Sequence, residues 1–199
     1  VNEEVPDGYC MVAPSVVGIC TSDRNNFKGR KSKQKLRDRL PLVLGHEVAG
    51  TITNPGTSKG FQENDRVAII PLMACKSCSA CQEGMENYCK QAKFMGSTCD
   101  GAFRWRLLWP EEFLLPLPTL PQDCETFPLT FDIACLIEPL SIGLRAVLDA
   151  GVHQDSKMAI VGGGQIGAFI ALCAQHFRWV NRVDMYVKQK SLIALRALL

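Results

Sequence analysis

The stretch MAIVGGGQIGAFIALCA, residues 158–174, decides the fold of the second half of the chain. An apolar strand-like run leads into a glycine turn, and apolar residues at helical spacing follow. Gly162, Gly164 and Gly167 form a GxGxxG pattern, which suits a tight turn, close approach of a pyrophosphate and close packing of helix on strand. The pattern in this context predicts a dinucleotide-binding turn at a helix N-terminus. A purely structural glycine turn is the alternative.

The flanking segments extend this unit in both directions. RVDMYV (182–187) predicts a second strand, and SLIALRALL (191–199) predicts a helix. FDIACLIEPLSIGLRAVLDAGV (131–152) has apolar residues at helical spacing, which we expect to be interrupted at Pro139. Strand, glycine turn, helix and strand together are the opening of a doubly wound α/β domain. The apolar stretch 158–174 is shorter than the roughly 20 residues of a membrane span, so we expect no membrane role.

The first half predicts a compact, mostly antiparallel β unit. Short β-type runs are bounded by Gly and Pro: CMVAPSVV (10–17), EVAGTIT (47–53), DRVAII (65–70) and FRWRLLW (103–109). Residues 110–130 contain five prolines, which predicts a connecting segment. We therefore expect two domains, a β domain over 1–150 and a partial α/β domain over 151–199.

Composition excludes several classes of function. The 199 residues carry a net charge of +2, too small to indicate a nucleic-acid partner or an acidic membrane surface. The basic run KGRKSKQKLRDR (28–39) lacks interleaved aromatic residues, which favours a solvated loop. The first residues show no secretion signal, so we expect a cytoplasmic protein. Clustered cysteines in that reducing compartment are more often metal ligands than disulfides.

Four of the ten cysteines cluster in ACKSCSACQEGMENYC, residues 74–89. Their gaps of two, two and seven residues allow four thiolates to surround one zinc ion, within a lobe that we place at 74–90. Four sulfur ligands leave no open position, so such a site is structural. An iron–sulfur cluster and disulfides are alternatives, but the ferredoxin pattern has a shorter last gap followed by Pro. The predicted ligands are Cys75, Cys78, Cys81 and Cys89.

Three short motifs contain residues for an open metal site: GICTSD (18–23), GHEVAG (45–50) and IEPL (137–140). Taken singly, Cys20, His46 and Glu138 have ordinary structural explanations in a core, a cap or a helix surface. Together, one Cys, one His and one or two Glu are the ligand set of a catalytic zinc with a free corner.

The motifs taken in order resemble the zinc-dependent medium-chain alcohol dehydrogenases. The cysteine spacing, GICTSD, GHEVAG and the glycine turn occur in the family's order, and EPLSIGL resembles the sorbitol, threonine and butanediol dehydrogenase branch. The resemblance covers about residues 5 to 190. It implies a GroES-like β catalytic domain followed by the first part of a Rossmann doubly wound domain.

The resemblance also implies roles for single residues. Cys20, His46, Glu47 and Glu138 would be ligands or close neighbours of a catalytic zinc, in addition to the structural zinc. Ser22 would pass the substrate proton outward, and Asp23 would orient His46. The implied reaction moves a hydride between a secondary alcohol or polyol and NAD(P), and relatives are usually homo-oligomers.

Cofactor contacts are expected at the turn and after the second strand. The turn would contribute Gly162, Gly164, Gln165, Ile166 and Gly167. Asp184 falls early for a ribose-binding acid, whereas Lys188, Lys190 and Arg182 could meet a 2′-phosphate, which favours NADP.

Several positions depart from the family pattern. They are Thr21, Asn25, Lys76, Arg104, Trp105 and Arg145. The chain also lacks the later strands and the returning segment of the family. We therefore expect a 199-residue product to bind zinc and turn over poorly. The alternatives are a noncatalytic zinc-binding module and a zinc-independent reductase, although Cys20, His46 and Glu138 argue against the latter.

Overall fold

A computed structural model describes residues 4–30, 39–118, 129–177 and 180–188. Its strands are β1 (Tyr9–Gly18), β2 (Glu47–Asn54), β3 (Arg66–Ile69), β4 (Leu72–Met73), β5 (Lys93–Phe94), β6 (Leu107–Pro110), β7 (Leu114–Pro116), β8 (Lys157–Val161) and β9 (Arg182–Tyr186). Its helices are α1 (Thr21–Phe27), α2 (Ser79–Gln82), α3 (Phe131–Ala134), α4 (Ile137–Asp149) and α5 (Gln165–Phe177), with 3₁₀ turns at Glu86–Tyr88 and Glu111–Phe113. The predicted helix 191–199 and most of the basic run lie outside the described residues.

The chain divides into two compact units, Val1–Leu136 and Ile137–Leu199. This division groups α4 with the second unit. The assignment of functional domains to 1–150 and 151–199 stays a prediction. Among the described residues, none of the helices is both long and apolar enough to cross a membrane.

Five strands of the first unit form one antiparallel sheet in the order β6-β1-β2-β3-β7. Alternate residues of β1, β2 and β6 point into a core that includes Val12, Ile52 and Trp109. The indole Nε1 of Trp109 donates to the carbonyl of Ile70 at 3.1 Å, so its polar atom is satisfied inside the core. The register between β1 and β2 shifts next to Pro14, which has no N–H to donate. The predicted antiparallel β unit is confirmed.

The strand predicted over 103–109 is wrong in its first half, because β6 begins only at Leu107. The backbone of the preceding segment is used elsewhere. The N–H groups of Gly101, Ala102 and Phe103 donate to carbonyls of residues 43–45 at 2.7–3.0 Å. These bonds hold the segment beside GHEVAG instead of in the sheet ladder.

The prolines also behave differently from the prediction. Pro110 ends β6 and Pro116 ends β7, so this part of the proline-rich segment is sheet. Both strands lie at the sheet edges, where a missing N–H costs no ladder bond. Pro139 does not interrupt its helix either. It is the third residue of α4, where the N–H has no intrahelical partner to lose.

The second unit begins with α4 and continues through β8, α5 and β9. β8 and β9 pair in parallel, with Lys157 opposite Arg182 and Val161 opposite Tyr186. Gly143 lets α4 approach α5 closely, because a Cβ there would lie 2.8 Å from the Cβ of Phe169. Val147, Cys173 and Ala174 form the core of this unit. The predicted opening of a doubly wound domain is present.

Candidate metal centres and cofactor turn

Four cysteine sulfurs converge in the segment that contains α2. The sulfurs of Cys75, Cys78, Cys81 and Cys89 all lie within 4.8 Å of one another. The Sγ atoms of Cys78 and Cys81 are 3.5 Å apart, and those of Cys75 and Cys81 are 3.9 Å apart. Tetrahedral zinc with sulfur bonds of about 2.3 Å needs separations near 3.8 Å, whereas a disulfide bond is about 2.05 Å long. The four free thiols therefore fit a metal cage.

Local hydrogen bonds favour the thiolate form of one of these cysteines, which is the form that binds a metal ion. The backbone and hydroxyl of Ser77 and the backbone N–H of Cys78 lower the pKa of Cys75 to about 6. Burial, followed by hydrogen bonds with the Cys78 and Cys89 sulfurs, raises the pKa of Cys81 to about 12. Four thiolates so close together repel one another unless a cation lies between them, and a divalent ion would keep all four deprotonated.

Lys76 occupies a strained position in this cluster. Its φ of 55° lies in the left-handed region that favours glycine. Its ammonium lies 2.8 Å from a carboxylate oxygen of Glu112 and 5.0 Å from the ring centroid of Phe113. These two contacts offset the backbone strain and tie the cysteine segment to the 3₁₀ turn that precedes β7.

A second group of ligand atoms forms where α1 and β2 begin. The sulfur of Cys20, a ring nitrogen of His46 and a carboxylate oxygen of Glu47 lie within 4.8 Å of one another. His46 is 6% exposed and Glu47 is 2% exposed, whereas Cys20 is only half-buried. A thiolate, an imidazole and a carboxylate at this spacing fit a borderline-soft divalent ion such as zinc, and three ligands leave a fourth corner open.

Helix capping positions Cys20. It is the N-cap of α1, and its sulfur accepts from the backbone N–H of Ser22 at 3.5 Å. Its own N–H donates to Oδ2 of Asp23 at 3.1 Å, which completes a capping box. The Thr-Ser-Asp sequence after Cys20 therefore orients the Cys20 thiol and the Asp23 carboxylate together.

Asp23 connects this cap to His46. Its Oδ1 accepts from the backbone N–H of Gly45 at 3.3 Å and lies 3.6 Å from Nδ1 of His46. Burial raises the pKa of Asp23, but the partial charges and hydrogen bonds of His46, Gly45 and Cys20 outweigh it and lower the pKa below 3.8. The ionised carboxylate faces Nδ1 and so favours Nε2 as the nitrogen available to a metal.

Gly18 makes room for Glu47. The two residues are opposite each other in the β1–β2 ladder. A Cβ on Gly18 would lie 2.3 Å from Oε2 of Glu47 and 2.9 Å from its Cβ. Only glycine at this position allows the carboxylate to stay beside Cys20 and His46.

The structure also packs Phe94 against His46, with ring centroids 5.2 Å apart at 60°. Sequence reasoning missed Phe94, because no local pattern links β5 to GHEVAG. It also missed the role of Gly18, although this residue opens the GICTSD motif and a glycine two residues before a ligand could have indicated a close approach.

The remaining predicted residues of the open site lie in different places. The hydroxyl-bearing Ser22 is half-buried in the first turn of α1, one residue after the exposed Thr21. Glu138 is half-buried in the first turn of α4 and belongs to the second unit. The structure thus groups Cys20, His46 and Glu47, while a ligand role for Glu138 stays a prediction.

The glycine turn has the geometry that its pattern predicts. Gly162 has φ of 121°, and its N–H donates to the carbonyl of Tyr186 at 3.0 Å. A Cβ on Gly167 would lie 2.1 Å from the carbonyl oxygen of Gly162, so this glycine permits the helix to start against the strand. Gly164 has no atom within 4 Å of a Cβ position, so protein packing does not require glycine there. Gln165 and Ile166 open α5.

Two residues of β9 and one after it bear on cofactor choice. Asp184 pairs with Ala159 in the middle of the strand, and its carboxylate accepts from Nε of Arg182 at 2.8 Å. Lys188 follows the strand end by two residues. The Asp184 carboxylate thus pairs with Arg182 inside β9. Lys188 lies beyond the carboxyl end of β9, where the resemblance to the family predicts the ribose contact.

The sequence matches the family model described as alcohol dehydrogenase GroES-like domain over residues 6–119. It is 33% identical over 163 residues to L-idonate 5-dehydrogenase of Vitis vinifera, covering 81% of this chain and 42% of that protein. It is 32% identical over 169 residues to sorbitol dehydrogenase of Bacillus subtilis, covering 84% of this chain and 45% of that protein. The chain thus spans somewhat less than half the length of these curated relatives.

Solved structures share the fold. The chain is similar, with a TM-score of 0.84 and 23% identity, to a short chain alcohol dehydrogenase of Escherichia coli CFT073 in complex with NADH. The match covers 99% of this chain and 54% of that chain. The predicted fold, a GroES-like β domain followed by the first part of a Rossmann domain, is confirmed.

Proposed function

Because this chain belongs to the alcohol dehydrogenase family that carries a GroES-like domain, we propose that it acts as a zinc-dependent oxidoreductase. The reaction would move a hydride between a secondary alcohol or polyol and a nicotinamide cofactor. The convergence of Cys20, His46 and Glu47 is the observation that carries the proposal. A role for Glu138 as a ligand or close neighbour of the catalytic zinc is part of the proposal, and the four-cysteine cluster is the proposed site of a second, structural zinc.

The chain's own residues would prepare the site in three ways. Asp23 orients His46 by facing its Nδ1, and Gly18 leaves space for the Glu47 carboxylate. Phe94 packs against the imidazole and limits its rotation. The hydroxyl of Ser22 would receive the proton that the substrate hydroxyl gives up and pass it to solvent. Zinc held by these side chains would supply Lewis acidity towards the substrate oxygen.

The glycine turn would hold the cofactor. Its pyrophosphate would lie against Gly164 at the N-terminus of α5, where backbone N–H groups carry partial positive charge. Lys188 supports a preference for NADP, because it follows the end of β9, where a cation could meet a 2′-phosphate. A cytoplasmic homo-oligomer is part of the same proposal.

The test combines metal analysis with a paired NAD and NADP absorbance assay over several polyols, including sorbitol and 2,3-butanediol. Two zinc ions per chain and polyol-dependent reduction of NADP support the proposal. Two zinc ions with no cofactor binding would instead support the noncatalytic zinc-binding module. Asn25 and Arg145, which depart from the family pattern, are the residues that would favour that second outcome.

A further inference from the structure

The first unit contains a cavity of about 380 Å³ that none of the proposed metal ligands lines. It lies at the β1–β6 edge of the sheet, and we call it the edge pocket. Tyr9 and Met11 of β1 and Leu108 of β6 form an apolar floor, with Met11 directly opposite Leu108 in the ladder. Leu107 and Trp109 of β6, which belong to the core, also line the pocket.

The wall of the edge pocket carries an excess of positive charge. Lys93, Arg104 and Arg106 line it together with one acid, Asp100. Asp100 is already neutralised, because its Oδ2 lies 2.6 Å from Nη2 of Arg104 and its Oδ1 accepts from the N–H of Val43 at 3.0 Å. Among the described residues, Lys93 and Arg106 make no ion pair. Two cations therefore remain uncompensated.

Arg104 has further capacity to bind an anion. Its Nε is buried and has no hydrogen-bond partner among the described residues. Buried donors are usually satisfied, and an unsatisfied one indicates a missing partner such as water or a ligand. Nη2 of Arg104 is thus engaged with Asp100, whereas its Nε is a donor without a partner among the described residues.

Cys99 lines the edge pocket together with Lys93, Arg104 and Arg106. Burial is the main cause that raises the pKa of its thiol, and the charge of Asp100 acts in the same direction. The charges of Lys93 and Arg104 oppose that shift. The three cations thus belong to the lining of one cavity.

We propose that the edge pocket binds a small organic anion, a carboxylate carried on an apolar or aromatic body. The cations would bind the carboxylate, and Tyr9, Met11 and Leu108 would cover the body. A neutral polyol would leave the charges unused, and inorganic phosphate would leave the apolar floor exposed. The inference goes beyond the proposed oxidoreductase activity and does not depend on it.

The experiment uses the full chain with ¹³C-labelled methionine methyl groups. Met11 and Met73 line the edge pocket, whereas Met158 and Met185 lie in the second unit and serve as internal references. Benzoate is titrated against its neutral counterpart benzamide and against inorganic phosphate. We expect benzoate to shift Met11 and Met73 saturably, with no saturable shift from benzamide or phosphate and none at Met158 or Met185.

Arg106→Gln is the test variant, because Arg106 is exposed and its loss should not affect folding. We expect about a tenfold weaker benzoate affinity, which corresponds to about 1.4 kcal/mol, because one charge-assisted contact to the carboxylate is lost. Arg24→Gln, an exposed arginine on α1, is the matched control and should leave affinity unchanged. Arg104→Gln is a second variant and should weaken binding further. Equal shifts with benzamide, or an unchanged affinity in Arg106→Gln, would overturn the proposal.

Discussion

At the scale of single residues, the open site depends on two groups that are not ligands. Gly18 provides the space for Glu47, and Oδ1 of Asp23 lies 3.6 Å from Nδ1 of His46, which we propose it orients. Both lie within GICTSD, the motif that also supplies Cys20. The motif therefore supplies three features of the same site: the Cys20 thiol, the Asp23 carboxylate and the space that Gly18 leaves for Glu47.

Gly18→Ala should remove the proposed catalytic zinc and leave the structural zinc. The added methyl group would lie 2.3 Å from Oε2 of Glu47, so the carboxylate must move away from Cys20. Zinc analysis after dialysis should fall from two ions per chain to one. Gly60→Ala is the control, because no atom lies within 4 Å of its Cβ position. Retention of two ions and of cofactor-coupled activity in Gly18→Ala would contradict this account of Glu47.

Asp23→Asn should weaken metal binding about 10- to 100-fold, as for other residues that orient ligands. It should also change the acid stability of the metal-free chain. The folded-state pKa of Asp23 lies below its ordinary value of 3.8, so its stabilisation is present above that value and is lost as pH falls through the folded pKa. Urea unfolding from pH 7 to pH 2 should therefore show a smaller acid-induced loss in Asp23→Asn than in the parent chain. Parallel pH profiles would show that Asp23 is not held ionised.

At the scale of elements, the cysteine lobe and the glycine turn each combine a strained backbone with a specific contact. Lys76 has a left-handed φ, and its contacts with Glu112 and Phe113 offset the strain. Gly162 has a positive φ, and its N–H donates to the carbonyl of Tyr186. In each element one residue with a positive φ also makes a contact that helps to hold the turn.

Substitutions at Lys76 should separate backbone strain from side-chain contacts. Lys76→Ala keeps the strain and loses both contacts, so the zinc-loaded protein should lose about 1–2 kcal/mol of unfolding free energy. Lys76→Gly loses the same contacts, but glycine adopts the left-handed φ without strain. This variant should therefore regain roughly 1 kcal/mol of unfolding free energy. Its free energy of unfolding should lie within about 1 kcal/mol of the parent. Urea denaturation of the two variants measures the difference, and equal losses would rule out backbone strain at this position.

Two glycines of the turn should respond differently to alanine. Gly167→Ala should destabilise the second unit and abolish cofactor binding, because its Cβ would collide with the carbonyl of Gly162. Gly164→Ala should keep the stability, since no protein atom lies near its Cβ position, and should lose cofactor affinity where the pyrophosphate approaches. Thermal unfolding and cofactor titration distinguish the two. Full cofactor binding by Gly164→Ala would argue for a purely structural turn.

Local signals were enough to predict most elements, and tertiary contacts explain the failures. Periodicity and glycine placement predicted β8, α5 and β9, and short β-type runs bounded by Gly and Pro predicted β1 and β2. The first half of the strand predicted over 103–109 failed because the backbone of residues 101–103 bonds to residues 43–45, a partner that no local window contains. Pro110, Pro116 and Pro139 were misjudged because their effect depends on edge or helix-end positions. Phe94 could not be predicted as a neighbour of His46 for the same reason.

At the scale of the whole molecule, the chain combines an antiparallel β unit with the opening of a parallel sheet. The β unit contains both candidate metal centres and the edge pocket, whereas the second unit contains the glycine turn and Glu138. The chain covers 42% and 45% of two curated relatives, so metal binding and turnover are separate questions for it.

Zinc content of the parent chain and of Cys20→Ser, measured after exhaustive dialysis, tests the central claim most directly. Two separate ions should be present in the parent, one held by Cys75, Cys78, Cys81 and Cys89 and the other by Cys20, His46 and Glu47. We predict two ions per parent chain and one per Cys20→Ser chain. An equal zinc content in the two proteins would contradict the account.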